Sequence, residues 1–272
     1  MTYFVHNLNP IILKVGSLAI TWYGVLYNVA FILGYFLVKV NFKKKDIIMS
    51  ANHYESLIFN IILGVLIGGR LGYVIFYYPS YYISNPLAVF YVWEGGMSFH
   101  GGALGVIIAG LIFCKKNKYN FYQLADPVMP LVALGLGLGR IANFINGELY
   151  GKATSLPWAV IFNNTDPEKI PRHPTQIYEA LLEGFLMALV LQIIMIKNKI
   201  KGLIFWLFIG LYGIVRFLIE FIRIPDDLPM YDNGMLFNQF SMGQVLSLSM
   251  IIISTIFISI LLYKSHKRNN SI

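Results

Sequence analysis

Cysteine is nearly absent from this sequence, and charge is scarce. A single cysteine, Cys114, excludes an internal disulfide and any cysteine-built metal cluster. Only 12% of the residues are Asp, Glu, Lys or Arg, against roughly 25% in an ordinary soluble domain. No phosphate-cradling Walker loop, no dinucleotide glycine fingerprint and no Gly-x-Ser-x-Gly elbow occurs, and the five histidines (His6, His53, His100, His173 and His266) are dispersed. These absences argue against a nucleotide-driven pump, a serine hydrolase, a resident metal or another cofactor. The first sixteen residues lack a basic region, and no small-residue cleavage site follows the first apolar run. No cleavable leader is therefore expected.

Apolar residues are abundant instead, at 57% of the chain, with a mean hydropathy of +0.64. That balance predicts an all-α, polytopic integral membrane protein whose surplus apolar surface is solvated by lipid. Apolar stretches long enough to cross a bilayer, about 20 residues each, cover residues 17–40, 55–78, 96–114, 123–145, 174–196, 202–222 and 242–263. The expectation is a single seven-helix membrane domain spanning residues 1–272.

The net charge of +8 is topological rather than a sign of nucleic-acid binding. Lys39, Lys43, Lys44 and Lys45 follow the first span, Lys115, Lys116 and Lys118 the third, and Lys197, Lys199 and Lys201 the fifth. Lys264, Lys267 and Arg268 follow the seventh. These thirteen of the 21 basic residues fall on one side of a seven-span threading. The positive-inside rule then puts the C-terminus in the cytoplasm and the N-terminus outside. Tyr77, Tyr78, Tyr81, Tyr82, Phe90, Tyr91 and Trp93 crowd the connection between the second and third spans, as expected of rings at the headgroup layer. The Gly64/Gly68/Gly72 and Gly101/Gly105 spacings predict close helix packing.

Three arginines fall inside spans. Arg70, Arg140 and Arg216 each lie late in a span that runs outward, so all three belong to the outer half of the membrane. Tyr23, His100 and His173 reach the same depth from inward-running spans. Gln176, Glu179 and Glu183 share one helical face, and Tyr212, Arg216, Glu220 and Arg223 share another. Arg216 and Glu220 are spaced to pair, which lowers the cost of burying both. The densest group runs from Gly139 to Gly151 and holds Arg140, Asn143, Asn146 and Glu148. An intramembrane arginine often snorkels, and an Arg–Glu pair often only joins helices. Both readings stay open for Arg70 and Arg223; the joint clustering favours function for Arg140, Asn143 and Glu148. His100 is flanked by glycines that allow close approach of a ligand. Cys114 lies near the cytoplasmic end of its span, at another depth, and is read as structural.

An arginine-rich cavity in the outer leaflet suits an anionic phospholipid headgroup, because arginine grips phosphate with two parallel hydrogen bonds. If the phosphate departs, the same donors stabilise its growing charge. A transporter for an anionic solute is the competing class, but no internal repeat is visible and the polar residues avoid the midplane. A lipid-binding scaffold would account for the aromatics and glycines, not for the ionisable residues.

The stretch Gly139-Arg140-Ile141-Ala142-Asn143-Phe144-Ile145-Asn146-Gly147-Glu148, with Gly151, resembles the signature of bacterial prolipoprotein diacylglyceryl transferases. The resemblance runs nearly end to end. It takes in Trp22-Tyr23-Gly24, Gly68-Gly69-Arg70, Gly95 to Gly102, Arg172-His173-Pro174-Thr175-Gln176-Ile177-Tyr178-Glu179, the Tyr212–Glu220 stripe and Ser241-Met242-Gly243-Gln244. Thr21 stands where some relatives carry histidine, and that position is given no role.

The resemblance implies transfer of the diacylglyceryl group of phosphatidylglycerol to the lipobox cysteine thiol of prolipoprotein signal peptides, in the bacterial plasma (inner) membrane. Membrane lipid and exported peptide would be the partners; no nucleic acid and no cofactor is expected. Arg140 and Arg216 are expected to hold the departing phosphate, and Asn143, Asn146 and Tyr23 to position the headgroup, with Arg70 and His173 in the same substrate-binding set. Tyr212 and Glu220 would orient Arg216. The thiol, with a pKa near 8.5 in water, needs a base. His100 is the candidate, while Glu148 is either the base or an orienting partner of His100 or an arginine.

Overall fold

A computed structural model describes residues 2–16, 18–91, 95–224, 235–236 and 240–270. Ser17, the expected start of the first span, and Trp93 lie outside the described residues. The helices are α1 (Trp22–Lys44), α2 (Ala51–Phe76), α3 (Pro79–Ser84), α4 (Phe99–Asn117), α5 (Phe121–Ala125), α6 (Met129–Asn146), α7 (Thr175–Glu179), α8 (Met187–Lys197), α9 (Leu203–Ile219) and α10 (Met242–Asn269). A π-helical stretch, Ala180–Leu186, joins α7 to α8. The strands are β1 (Phe4–His6), β2 (Ile11–Val15), β3 (Leu18–Thr21), β4 (Val160–Phe162), β5 (Pro171–Arg172), β6 (Met235–Leu236) and β7 (Phe240–Ser241).

The fold is mostly helical rather than purely so. Parallel pairing of β1 with β4 and antiparallel pairing of β4 with β5 build a three-stranded sheet, and β2–β3 and β6–β7 are separate hairpins. These strands lie outside the helices, before α1 and in the later connections, where backbone groups without helical partners need others. Among the described residues five helical segments are long and apolar enough to cross a membrane: Trp22–Lys44, Ala51–Phe76, Met129–Asn146, Thr175–Lys197 and Met242–Arg268. Their flanks expose large apolar side chains such as Phe31, Phe36, Phe59, Ile67, Leu189, Ile193, Ile252 and Ile256, as lipid solvation requires.

Two expected boundaries shift for local reasons. The first helix starts at Trp22, not near residue 17, because Thr21 caps it by accepting from the Gly24 N–H at 3.2 Å. The fourth span is interrupted between α5 and α6, where Pro127 and Pro130 remove backbone donors. Asp126 in that gap accepts from Gly202 N–H at 2.7 Å and Phe205 N–H at 2.9 Å, capping the start of α9.

The chain forms two compact units, residues 46–124 and residues 1–45 with 125–272. In the first, α2 and α4 meet through glycine. A Cβ on Gly105 would collide with the Gly64 carbonyl, and one on Gly72 would lie 2.7 Å from the Gly101 Cα. The glycine spacings therefore do set close packing, as expected. In the larger unit Ala133, Met187, Leu191, Met195 and Ile204 form the apolar core. Gly137 of α6 faces Gly184 of the π-helical stretch at backbone contact, where a Cβ on Gly137 would sit 3.0 Å from the Gly184 Cα.

Candidate active site

The end of α6 explains its own sequence. Gly147 takes φ 71° and closes the helix, its N–H donating to Phe144 O at 2.9 Å. A left-handed C-terminal residue is cheapest as glycine. The turn sends Glu148 back toward α6, where Glu148 Oε1 accepts from Asn143 Nδ2 at 2.7 Å and Asn146 Nδ2 at 3.2 Å. Gln176 Nε2 donates to the Glu148 carbonyl at 2.5 Å, and Thr175 Oγ1 to the Leu149 carbonyl at 2.9 Å. Gly151 closes the signature because nothing larger fits. Its N–H bonds His173 O at 2.8 Å, and a Cβ there would lie 2.6 Å from Ile222 O.

Behind this turn lies a buried cluster of three arginines and three glutamates. Arg140 Nε is 3.1 Å from Glu179 Oε2, and Arg140 Nη2 is 3.6 Å from Glu183 Oε2. Arg216 Nη1 is 2.6 Å from Glu179 Oε1, and Arg216 Nη2 pairs with Glu220 Oε1. Arg223 Nη1 is 3.5 Å from Glu179 Oε1. The Arg216–Glu220 pairing follows the four-residue spacing on one stripe. Glu220 is further fixed by Ser241 Oγ, which donates to its Oε2 at 2.8 Å. Ser241 also caps α10 through a reciprocal box with Gln244, and Gly243 leaves room for the Glu220 carboxylate. That accounts for the Ser241–Gln244 motif.

The side chains of Glu179 and Glu183 are 0% exposed, those of Arg140 and Arg216 17% and 12%. The guanidiniums are thus the more exposed members of the cluster, and the carboxylates the more buried. Tyr23 stacks on Tyr27 with ring centroids 4.9 Å apart and lies within electrostatic reach of both Glu148 and Arg140. Tyr212, half-buried, packs on the apolar core beside the Arg216 stripe. The larger unit therefore gathers Tyr23, Arg140, Asn143, Asn146, Glu148, Tyr212, Arg216 and Glu220.

His173 sits just before α7, its Nδ1 3.4 Å from Tyr178 Oη, and burial holds its imidazole pKa below the usual value. Next to it, Arg172 clamps Asp166 through Nε–Oδ2 at 2.6 Å and Nη2–Oδ1 at 2.9 Å. The guanidinium holds the Asp166 carboxyl below the ordinary carboxylate range. Together they fasten the connection from α6 to α7.

Arg70 and His100 belong to the smaller unit. Arg70 is buried and donates to the carbonyls of Val89 (2.8 Å), Gly95 (2.6 Å), Gly96 (3.2 Å) and Ala88 (2.7 Å). Those four bonds make it an anchor for the connection that follows α2. His100 stands exposed in the first turn of α4, whose N-cap is Ser98. Cys114 is buried in the last turns of α4.

Glu179 was missed as a site residue by sequence reasoning, although it joins all three arginines. A signal existed: arginines within apolar helices demand counter-ions, and Glu179, in the apolar segment Thr175–Lys197, is an obvious source.

Membrane-length apolar helices, a buried guanidinium–carboxylate cluster and an asparagine-lined turn together define a membrane protein with a polar site among its helices. The family model for prolipoprotein diacylglyceryl transferase matches residues 10–260, and the chain belongs to that family. Proteins named phosphatidylglycerol–prolipoprotein diacylglyceryl transferase are similar over nearly their whole length. That of Geobacter sulfurreducens is 45% identical over 91% of this chain and 93% of its own. That of Bordetella parapertussis is 45% identical over 90% and 92%, and that of Aeromonas hydrophila 41% over 98% and 95%.

Proposed function

We propose that this chain transfers the diacylglyceryl group of phosphatidylglycerol to the thiol of a lipobox cysteine in prolipoproteins, releasing glycerol phosphate. Relatives of that name, matched over nine-tenths of both chains, support the reaction. The observation that carries the mechanism is the pair Arg140 and Arg216 held on one carboxylate, Glu179, each keeping an exposed edge.

In this reading the thiol loses its proton to His100, or to Glu148 as the alternative base. Sulfur attacks the terminal glyceryl carbon, the carbon–oxygen bond to phosphate breaks, and the electron pair leaves with the phosphate oxygen. Arg140 and Arg216 bind the phosphate and stabilise the charge that grows on it. Asn143, Asn146 and Tyr23 orient the headgroup, with His173 in the binding set, while Arg70 serves by anchoring the connection after α2 rather than by touching lipid. Tyr212 and Glu220 align Arg216. Because the phosphodiester is itself the activated donor, no nucleotide enters the balance.

The same proposal extends to topology. Residues 1–272 act as one membrane domain of seven spans in the bacterial plasma membrane, with the N-terminus outside and the C-terminus cytoplasmic. The lysine-rich connections support this orientation. Lipid and exported signal peptide then reach the site from the outer leaflet.

The test is direct. Purified protein in liposomes containing phosphatidylglycerol receives a peptide bearing Leu-Ala-Gly-Cys. Mass spectrometry should show the peptide heavier by one diacylglyceryl unit. An unchanged peptide mass with folded protein would overturn the assignment.

A further inference from the structure

Among the three carboxylates of the cluster, Glu183 is the odd one. Glu179 contacts three arginines, and Glu220 is held by Arg216 and Ser241. Glu183 is equally buried, yet both of its oxygens lack a hydrogen-bond partner, and its ion-pair contact is Arg140 Nη2 at 3.6 Å. A fully buried carboxylate held this weakly is costly to keep charged. Its position is nonetheless built. It lies in the π-helical stretch Ala180–Leu186, a conformation that is rare and concentrated at functional sites. The neighbouring Gly184 presses that stretch against Gly137, one turn before Arg140.

We propose that Glu183 is the counter-ion of Arg140 while no lipid phosphate is bound, and that it yields the guanidinium to the phosphate by taking up a proton. This rests on the reading of Arg140 as a phosphate ligand. Among the described residues of the cluster, three arginines and three carboxylates balance in charge. An arriving phosphodiester adds one negative charge in a low-dielectric site, and the least-held carboxylate is the one that gives up its own. The proton comes from water and remains on Glu183 until the anion leaves. The groups within electrostatic reach of Glu183 are Arg140 from α6, Tyr212 and Arg216 from α9, Arg223 just beyond α9, and Glu179 at the end of α7. Glu183 is thus a positioning residue. It keeps Arg140 in place between turnovers and competes with the anion for it.

Three measurements test this. In liposomes, Glu183→Gln should lower the KM for phosphatidylglycerol several-fold and make glycerol phosphate a several-fold stronger inhibitor. The wild-type KM should rise as pH rises, because binding takes up a proton. Glu183→Gln should flatten that rise and Glu183→Asp should keep it. A KM unchanged or raised in Glu183→Gln, or an unaltered pH slope, would overturn the proposal. On the wild-type protein alone, adding short-chain phosphatidylglycerol in weakly buffered detergent should take up about one proton per bound lipid; no uptake refutes it without any variant. If Arg140→Lys leaves KM and rate unaffected, the phosphate reading of Arg140 fails. If Arg140→Lys weakens binding while Glu183→Gln does not strengthen it, only the role of Glu183 falls.

Discussion

Glu179 Oε1 lies 2.6 Å from Arg216 Nη1, while the other oxygen of the same carboxylate lies 3.1 Å from Arg140 Nε. One glutamate thus sets the spacing between two guanidiniums that come from different helices. Replacing it by glutamine keeps the shape and removes the charge that holds both. Breaking a buried ion pair costs about 3–5 kcal/mol, so Glu179→Gln should lower the thermal unfolding midpoint in detergent and abolish transfer. Wild-type stability with wild-type rate in this variant would deny the carboxylate its organising role.

Arg140→Lys tests geometry apart from charge. Lysine keeps the positive charge but loses the planar fork. Loss of one such donor is worth about 10²–10³ in rate. The liposome assay should show a fall of that order, with the unfolding midpoint little changed; near-normal transfer would remove Arg140 from the phosphate.

Two glycines offer a contrast. At Gly105 a side chain meets the backbone of Gly64 and Gly68 across α2 and α4. Gly105→Val should cost at least about 1–3 kcal/mol by overpacking. At Gly139, inside the signature, a Cβ meets nothing within 4 Å. Gly139→Ala should fold normally and gain about 0.5–1 kcal/mol of helix stability. Loss of transfer in that folded variant would show that the open space beside Arg140 is needed by substrate; thermal unfolding and the transfer assay together separate the two cases.

Asp166 gives the connection before α7 an acid-sensitive clamp. Its pKa is lowered in the folded chain by the Arg172 guanidinium. The ion pair therefore stabilises fully above the ordinary carboxylate value, near 3.9, and that stability is lost as pH falls through the lower folded value. Unfolding midpoints measured from neutral pH downward should drop for the wild type in that window. Asp166→Asn should start lower and show a smaller further drop; parallel pH curves for the two proteins would contradict the clamp.

Much of this architecture was legible in the chain itself, because lipid imposes a simple code. Long apolar runs and glycines four apart read directly as helices and close packing. The Arg216–Glu220 pair was legible too, since helical periodicity is local. The break between Ala125 and Met129 and the late start at Trp22 were less visible. Proline and a capping threonine act over a few residues, and an apolar window averages them away.

The sequence alone determined that the protein is a membrane protein of apolar helices that carry arginines and asparagines within or beside them. Composition and spacing carry that information because burying charge in lipid is too costly to occur by accident. Tertiary structure decided which charges meet. Glu179 comes to Arg140, Arg216 and Arg223 from 39, 37 and 44 residues away in sequence, and Glu183 waits behind Arg140 without a hydrogen bond. No local pattern encodes such partners. They follow from the glycine contact that presses the helical segment Thr175–Lys197 against α6, and from the wide π-helical turn that carries Glu183.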